Sequence, residues 1–92
     1  MNDYLIKFSK SLNYHSGHFS IISNSIYVDS PKKILDYKIC FNFTNKTIFI
    51  SDLYTNIKWT KIKDNFTEKD VQPTIDFYYN YYNKLQKLKS FI

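Results

Sequence analysis

His15 and His18 flank the only glycine of the chain in the stretch Tyr14–Phe19. Two histidines three positions apart, joined by Cys40 or Asp36, would offer zinc the nitrogen, sulfur or oxygen donors it takes. A structural zinc site wants four ligands with clear spacing, and only the pair is local, so neither a metal nor a cofactor is expected. Cys40 is the single thiol. A catalytic thiol needs a base and a helix N-terminus or cation to hold it as thiolate. Lys38 and two distant histidines do not supply that set, and Cys40 is read as a small packing residue on the less apolar face of a strand. Acids gather only at Asp64, Glu68, Asp70 and Asp76, where carboxylates favour the start of a helix through its dipole. One glycine leaves no phosphate-cradling loop. With these elements missing the chain is read as a non-enzyme, with no catalytic residues.

Binding chemistry has better candidates. Lysine accounts for all 13 basic residues, and the formal net charge is +5 with a pI near 9.3. Lys58, Lys61 and Lys63 surround Trp59, and Lys84 and Lys87 recur near the C-terminus. Cations interleaved with a ring suit single-stranded nucleic acid, with phosphates neutralised and a base stacked on the indole. The absence of arginine removes the bidentate guanine reader, so any such binding would be tolerant of sequence. The second candidate is the tyrosine surplus. Nine tyrosines occur in 92 residues, four of them between Tyr78 and Tyr82. Tyrosine gives wide contact at low rotamer cost and is enriched at interface centres. Phe77, Tyr78, Tyr81, Tyr82 and Leu88 are therefore the expected protein-binding residues.

The elements that must position these groups are legible in part. Leu35, Tyr37, Ile39, Phe41 and Phe43 alternate with Asp36, Lys38, Cys40 and Asn42, which is the period of a half-buried strand. Residues 44–47 turn, with Asn45 suited to a left-handed backbone, and Ile48–Leu53 runs back. A third strand is expected over Ile57–Lys63, with Ile57 and Trp59 on one face. Phe19–Ile22 and Ser25–Val28 form a further hairpin about Ser23 and Asn24, and Ser30, Pro31 and Lys32 lead on to the long strand. The first dozen residues fit a short helix after an Asn2 cap (Leu5, Phe8, Leu12) or a strand (Tyr4, Ile6, Phe8), and the helix is preferred.

For the C-terminal helix, Thr67 suits a cap, with Phe66 and Val71 placed to staple the first turn. Pro73 argues against that start, because a proline inside a helix loses a hydrogen bond and clashes with the preceding turn. The expectation is a separate turn at 67–72 and a helix from about Pro73 to Ser90. Ile75, Tyr78, Tyr82, Leu85 and Ile92 then share the core face. Phe77, Tyr81 and Leu88 make a second apolar row, which is either an interface or is covered by the N-terminal segment. The fold class is α+β: an antiparallel sheet of four or five short strands with a long C-terminal helix on one face, in one domain over residues 1–92.

Composition bounds the rest. The chain has no alanine, nine asparagines and twelve isoleucines, a bias toward AT-rich codons. No apolar run has the length of a signal peptide or a membrane span. The unpaired Cys40 fits a reducing compartment, and the sequons at Asn42, Asn45 and Asn65 are read as chance, so the expected location is the cytoplasm, away from membranes. In size, composition and lack of catalytic elements the chain resembles the small accessory proteins of phages and other mobile elements. That resemblance implies an inhibitor that occupies a host protein or protein–nucleic-acid complex, for example a CRISPR or other defence complex. Nucleic acid alone is the second expected partner, and a homodimer a further one.

Overall fold

The computed structural model describes residues 3–31, 36–53 and 55–89. Five strands run β1 (Phe19–Ile22), β2 (Ser25–Asp29), β3 (Tyr37–Asn42), β4 (Thr47–Asp52) and β5 (Ile57–Asp64), between helices α1 (Asp3–Ser9) and α2 (Glu68–Lys89). All four pairings are antiparallel and sequential, so the sheet is a meander in chain order with β1 and β5 at its edges. This is the α+β architecture expected, with the short N-terminal helix preferred over a strand. The Asn2 cap, Lys32, Lys33, Leu35, Tyr54 and Ile92 lie outside the described residues.

Period-two alternation sorts the two faces of the sheet. Register aligns Ile26, Phe41 and Ile48 in one row and Val28, Ile39 and Ile50 in the next, and all six are buried. Leu5 of α1 and Val71, Ile75 and Tyr82 of α2 close over these rows in one hydrophobic cluster. Each such aliphatic side chain contributes roughly 1.5–3 kcal/mol by leaving water. Both helices pack on this face. Among the described residues nothing covers the other, which carries Tyr27, Cys40, Phe49 and Trp59.

Three local expectations are corrected. First, α2 begins at Glu68 and runs through Pro73. The cap set aside above is the one present: the Thr67 amide donates to Asp70 Oδ2 at 2.8 Å, and the Asp70 amide returns to the Thr67 carbonyl at 2.9 Å. Phe66 and Val71 are both buried beneath it. Pro73 costs less here than deep in a helix, because it and Lys69, whose carbonyl it leaves without a donor, are both exposed to water. Second, the β3–β4 connection uses the Asn42 side chain, which accepts from the Thr44 and Asn45 amides at 3.0 and 3.1 Å. The left-handed residue is Lys46 (φ 57°), not Asn45. Third, Ile57 and Trp59 do not share a face. Between Ile50 and Asp52 the register slips so that three residues of β5 oppose two of β4, and a bulge of that kind reverses the alternation. Ile57 pairs with Asp52 on the helix side, while Trp59 meets Tyr27 edge-on at 6.2 Å on the open side.

The single glycine sits where backbone segments cross. A Cβ on Gly17 would come within 2.6 Å of the Asp29 carbonyl and 2.9 Å of the Tyr14 carbonyl. Left-handed backbone, among the described residues, falls not to Gly17 but to His15, Ser16, Ser23, Lys46, Asn56 and Asn65. Two substitutions therefore act in opposite directions in thermal or denaturant melts. Gly17→Ala is expected to lose about 1–3 kcal/mol by forcing backbone apart. Pro73→Ala is expected to gain about 1–2 kcal/mol by restoring the helical hydrogen bond.

Candidate interaction surface

Helix α2 has two flanks beside its buried stripe, and they differ in chemistry. On one, the N-terminal loop is clamped down by polar groups. The Asn13 amide donates to Gln72 Oε1 at 2.7 Å, and Gln72 Nε2 returns a bond to the Asn13 carbonyl at 3.0 Å. Gln72 Nε2 also donates to Asp76 Oδ1 at 2.9 Å, and His15 Nε2 meets the same oxygen at 2.7 Å. The His15 ring stacks on Tyr79 at 4.1 Å. This histidine is thus a clamp between loop and helix. His18 lines a separate groove with Asp29 and Asp36, and among the described residues no group of three or more His, Cys, Asp or Glu could hold a metal.

The other flank is the second apolar row. Phe77, Tyr81 and Leu88 are 60%, 42% and 63% exposed. Phe77 and Tyr81 lie parallel at 6.3 Å, and Tyr78 meets Phe77 edge-on at 4.9 Å. The N-terminal segment packs on the opposite flank and leaves this row open. Beside it a groove between α2 and β5 is lined by Ile48, Ile62, Lys63, Asp70, Phe77 and Tyr78. Lys84 stands next to the row, seven residues on from Phe77.

Tyr82 is removed from the interface set. It is 2% exposed, stacks on Tyr37 at 4.4 Å and donates its hydroxyl to Asp52. Tyr78, half-buried, bridges core and row. Burial would by itself push the Asp52 carboxyl up, but hydrogen bonds from the Tyr82 hydroxyl and from Thr55 outweigh it and hold the group below its ordinary value. Thr55 donates through its amide at 2.6 Å and its hydroxyl at 2.7 Å. Tyr82 is pushed far up, by burial first and then by the carboxylate it must face. Nothing in the sequence joins Asp52 to Tyr82, thirty positions away. The only available signal was an acid at an inward position of a strand.

The six candidate nucleic-acid residues do not form one surface. Trp59 and Lys61 face the open side of the sheet, where Lys61 pairs with Asp64 at 3.1 Å. Lys63 lies in the groove on the helix side, and Lys84 and Lys87 are on α2. The open side does gather rings the sequence had not grouped: Tyr27, Phe49 and Trp59 surround Cys40. Cys40 is buried under them, and that burial raises its thiol despite hydrogen bonds from Tyr27 and Ser25. Of the surface and second-layer positions open to it from the sequence, Cys40 takes the second. No family model matches the chain, and no curated protein or solved structure matches it either.

The Asp52–Tyr82 pair makes stability depend on pH at both ends. A carboxyl held low in the fold adds stability above its unfolded value near 3.9 and loses it as pH falls through the folded one. A phenol held high adds stability below its unfolded value near 10 and loses it as pH rises beyond that. Tyr82→Phe is expected to cost about 1–3 kcal/mol at neutral pH and to flatten both losses in part, since Thr55 still serves Asp52 and burial also holds Tyr14 and Tyr37 above their ordinary values. Melting temperatures from pH 3 to 11 check this.

Proposed function

We propose that the protein is a non-enzymatic binding module that acts by covering a surface of a larger protein or protein–nucleic-acid partner. The observation carrying this reading is the row Phe77, Tyr81 and Leu88, held exposed on a helix whose opposite flank is already occupied. Rings fixed on a rigid helix lose little side-chain freedom on contact, which is what interface anchors need. The resemblance to accessory proteins of mobile elements makes a host defence machine, CRISPR complexes included, the class of partner to try first.

The row can be tested apart from the core. Tyr82→Ala and Ile75→Ala are expected to cost about 2–5 kcal/mol of stability. Tyr81→Ala is expected to cost about 1 kcal/mol or less while weakening partner binding by about 2 kcal/mol. Melts, sizing and a nuclease-treated pull-down from host lysate check the set. A Tyr81→Ala chain that melts like Tyr82→Ala would place the row in the core and remove the support for this reading.

A second reading has its own observation: Tyr27, Phe49 and Trp59 on a sheet face that no helix covers, with Lys38, Lys58 and Lys61 nearby, as a sequence-tolerant single-strand binder would use them. Log affinity for a 20-mer should then fall steeply with log salt, and Lys38, Lys58 and Lys61→Gln should flatten the slope. No binding at about 50 mM salt, where phosphate contacts are strong, ends this reading.

A further inference from the structure

Strand β5 is an edge of eight residues, paired among the described residues with β4 alone, slipping register against it twice, and exposed at every position but Ile62. Its outer backbone amides and carbonyls are a ready template for another strand. We propose that this edge takes an extended acidic segment of the partner as a sixth strand, with alternate apolar side chains of that segment entering the groove between β5 and α2. The proposal rests on the protein-binding reading above and adds how, and with what chemistry, the partner is held.

Three observations converge. The groove opens beside the C-terminal end of this edge, walled by Ile62 and Lys63 on β5 and by Phe77 and Tyr78 on α2, so a strand added there would set alternate side chains against rings. The charges are one-sided. Lys58 and Lys63 lie on β5 and Lys84 beside the row, against Asp64 and Asp70, while Lys61 on the open face is taken up by Asp64. Both acids are engaged, Asp64 with Lys61 at 3.1 Å and Asp70 with the Thr67 amide at 2.8 Å. Lysines also exclude the commonest competitor. A second copy of β5 pairing antiparallel over all eight residues would set Lys58 against Lys63 twice, and like charges directly opposite destabilise a sheet. An acidic strand meets attraction at the same positions. Main-chain bonds would supply affinity and the groove and lysines selectivity.

The test uses the full chain and two labelled eight-residue probes, one alternating valine with glutamate and one alternating valine with lysine. The acidic probe is expected to bind at least about tenfold tighter at low salt, the preference shrinking as salt screens exposed charges. Its binding should slow hydrogen exchange of the β5 amides. Lys58→Glu with Lys63→Glu, both at exposed positions, should reverse the preference between probes. Equal binding of the two probes, binding that leaves β5 exchange unchanged, self-association that protects β5 without any probe, or a thymidine 20-mer displacing the acidic probe and occupying the face itself would each overturn the proposal. If the probes fail while Tyr81→Ala still abolishes partner capture, the strand-addition mode alone falls. If Tyr81→Ala leaves capture intact, the reading beneath it falls.

Discussion

An antiparallel sheet presents two faces, and a chain of this length has one long helix with which to cover them. Everything else follows from how that helix is seated. Val71 and Ile75 press into the rows made by Ile26, Phe41, Ile48 and their neighbours, but apolar contact alone has little sense of direction. The buried bond from Tyr82 to Asp52 supplies it. A buried Tyr82 hydroxyl must meet the carboxylate or go unsatisfied, so the pair fixes both the position of α2 along the sheet and its rotation about its own axis. Rotation decides which residues are left outside. With Tyr82 turned in, Phe77, Tyr81 and Leu88 are turned toward β5 and water.

The two flanks of α2 then take different roles. Asn13, His15, Gln72 and Asp76 form a small polar network that ties the loop before β1 to the helix. Gly17 follows close behind, where a Cβ would meet the Asp29 and Tyr14 carbonyls. The opposite flank has no such tie and keeps its rings in solvent. An apolar row of this kind is common in cores and uncommon on surfaces, which is why its position relative to the edge strand matters more than its composition.

Much of the architecture was legible. Alternation from Tyr37 to Phe43 and the apolar spacing from Ile75 to Leu85 each carry their own period, and hairpins at 19–28 and 37–52 follow from strands separated by polar turns. What escaped was decided by single side chains or single inserted residues. Pro73 reads as a helix breaker by propensity, but the Asp70 carboxylate on the Thr67 amide and a buried staple outweigh one missing hydrogen bond on a wet face. The two register slips in β5 carry no marker in Ile57–Lys63, yet one sends Trp59 to the face opposite Ile57 and the other parts Lys61 from Lys63. Helical geometry separates Tyr81 from Tyr82 by 100° and so gave the exposed row. It could not say which flank the N-terminal segment would choose, since that choice is made by Gln72 and Asp76 meeting residues some sixty positions away.

Six left-handed residues among those described, none of them glycine, have a consequence for the chain's history and its margin of stability. Glycine would take these conformations without steric penalty, but its codons are rich in G and C, while those for asparagine and lysine are not. A genome drifting toward A and T would fill its turns with the residues it has and accept local strain at each, leaving a folded state with less in reserve than its aromatic core suggests. The same substitutions stiffen the unfolded chain, which returns part of that loss. Moved to a host of balanced base composition, this protein would have an open route to greater stability through its turns alone, with the core and the exposed row untouched.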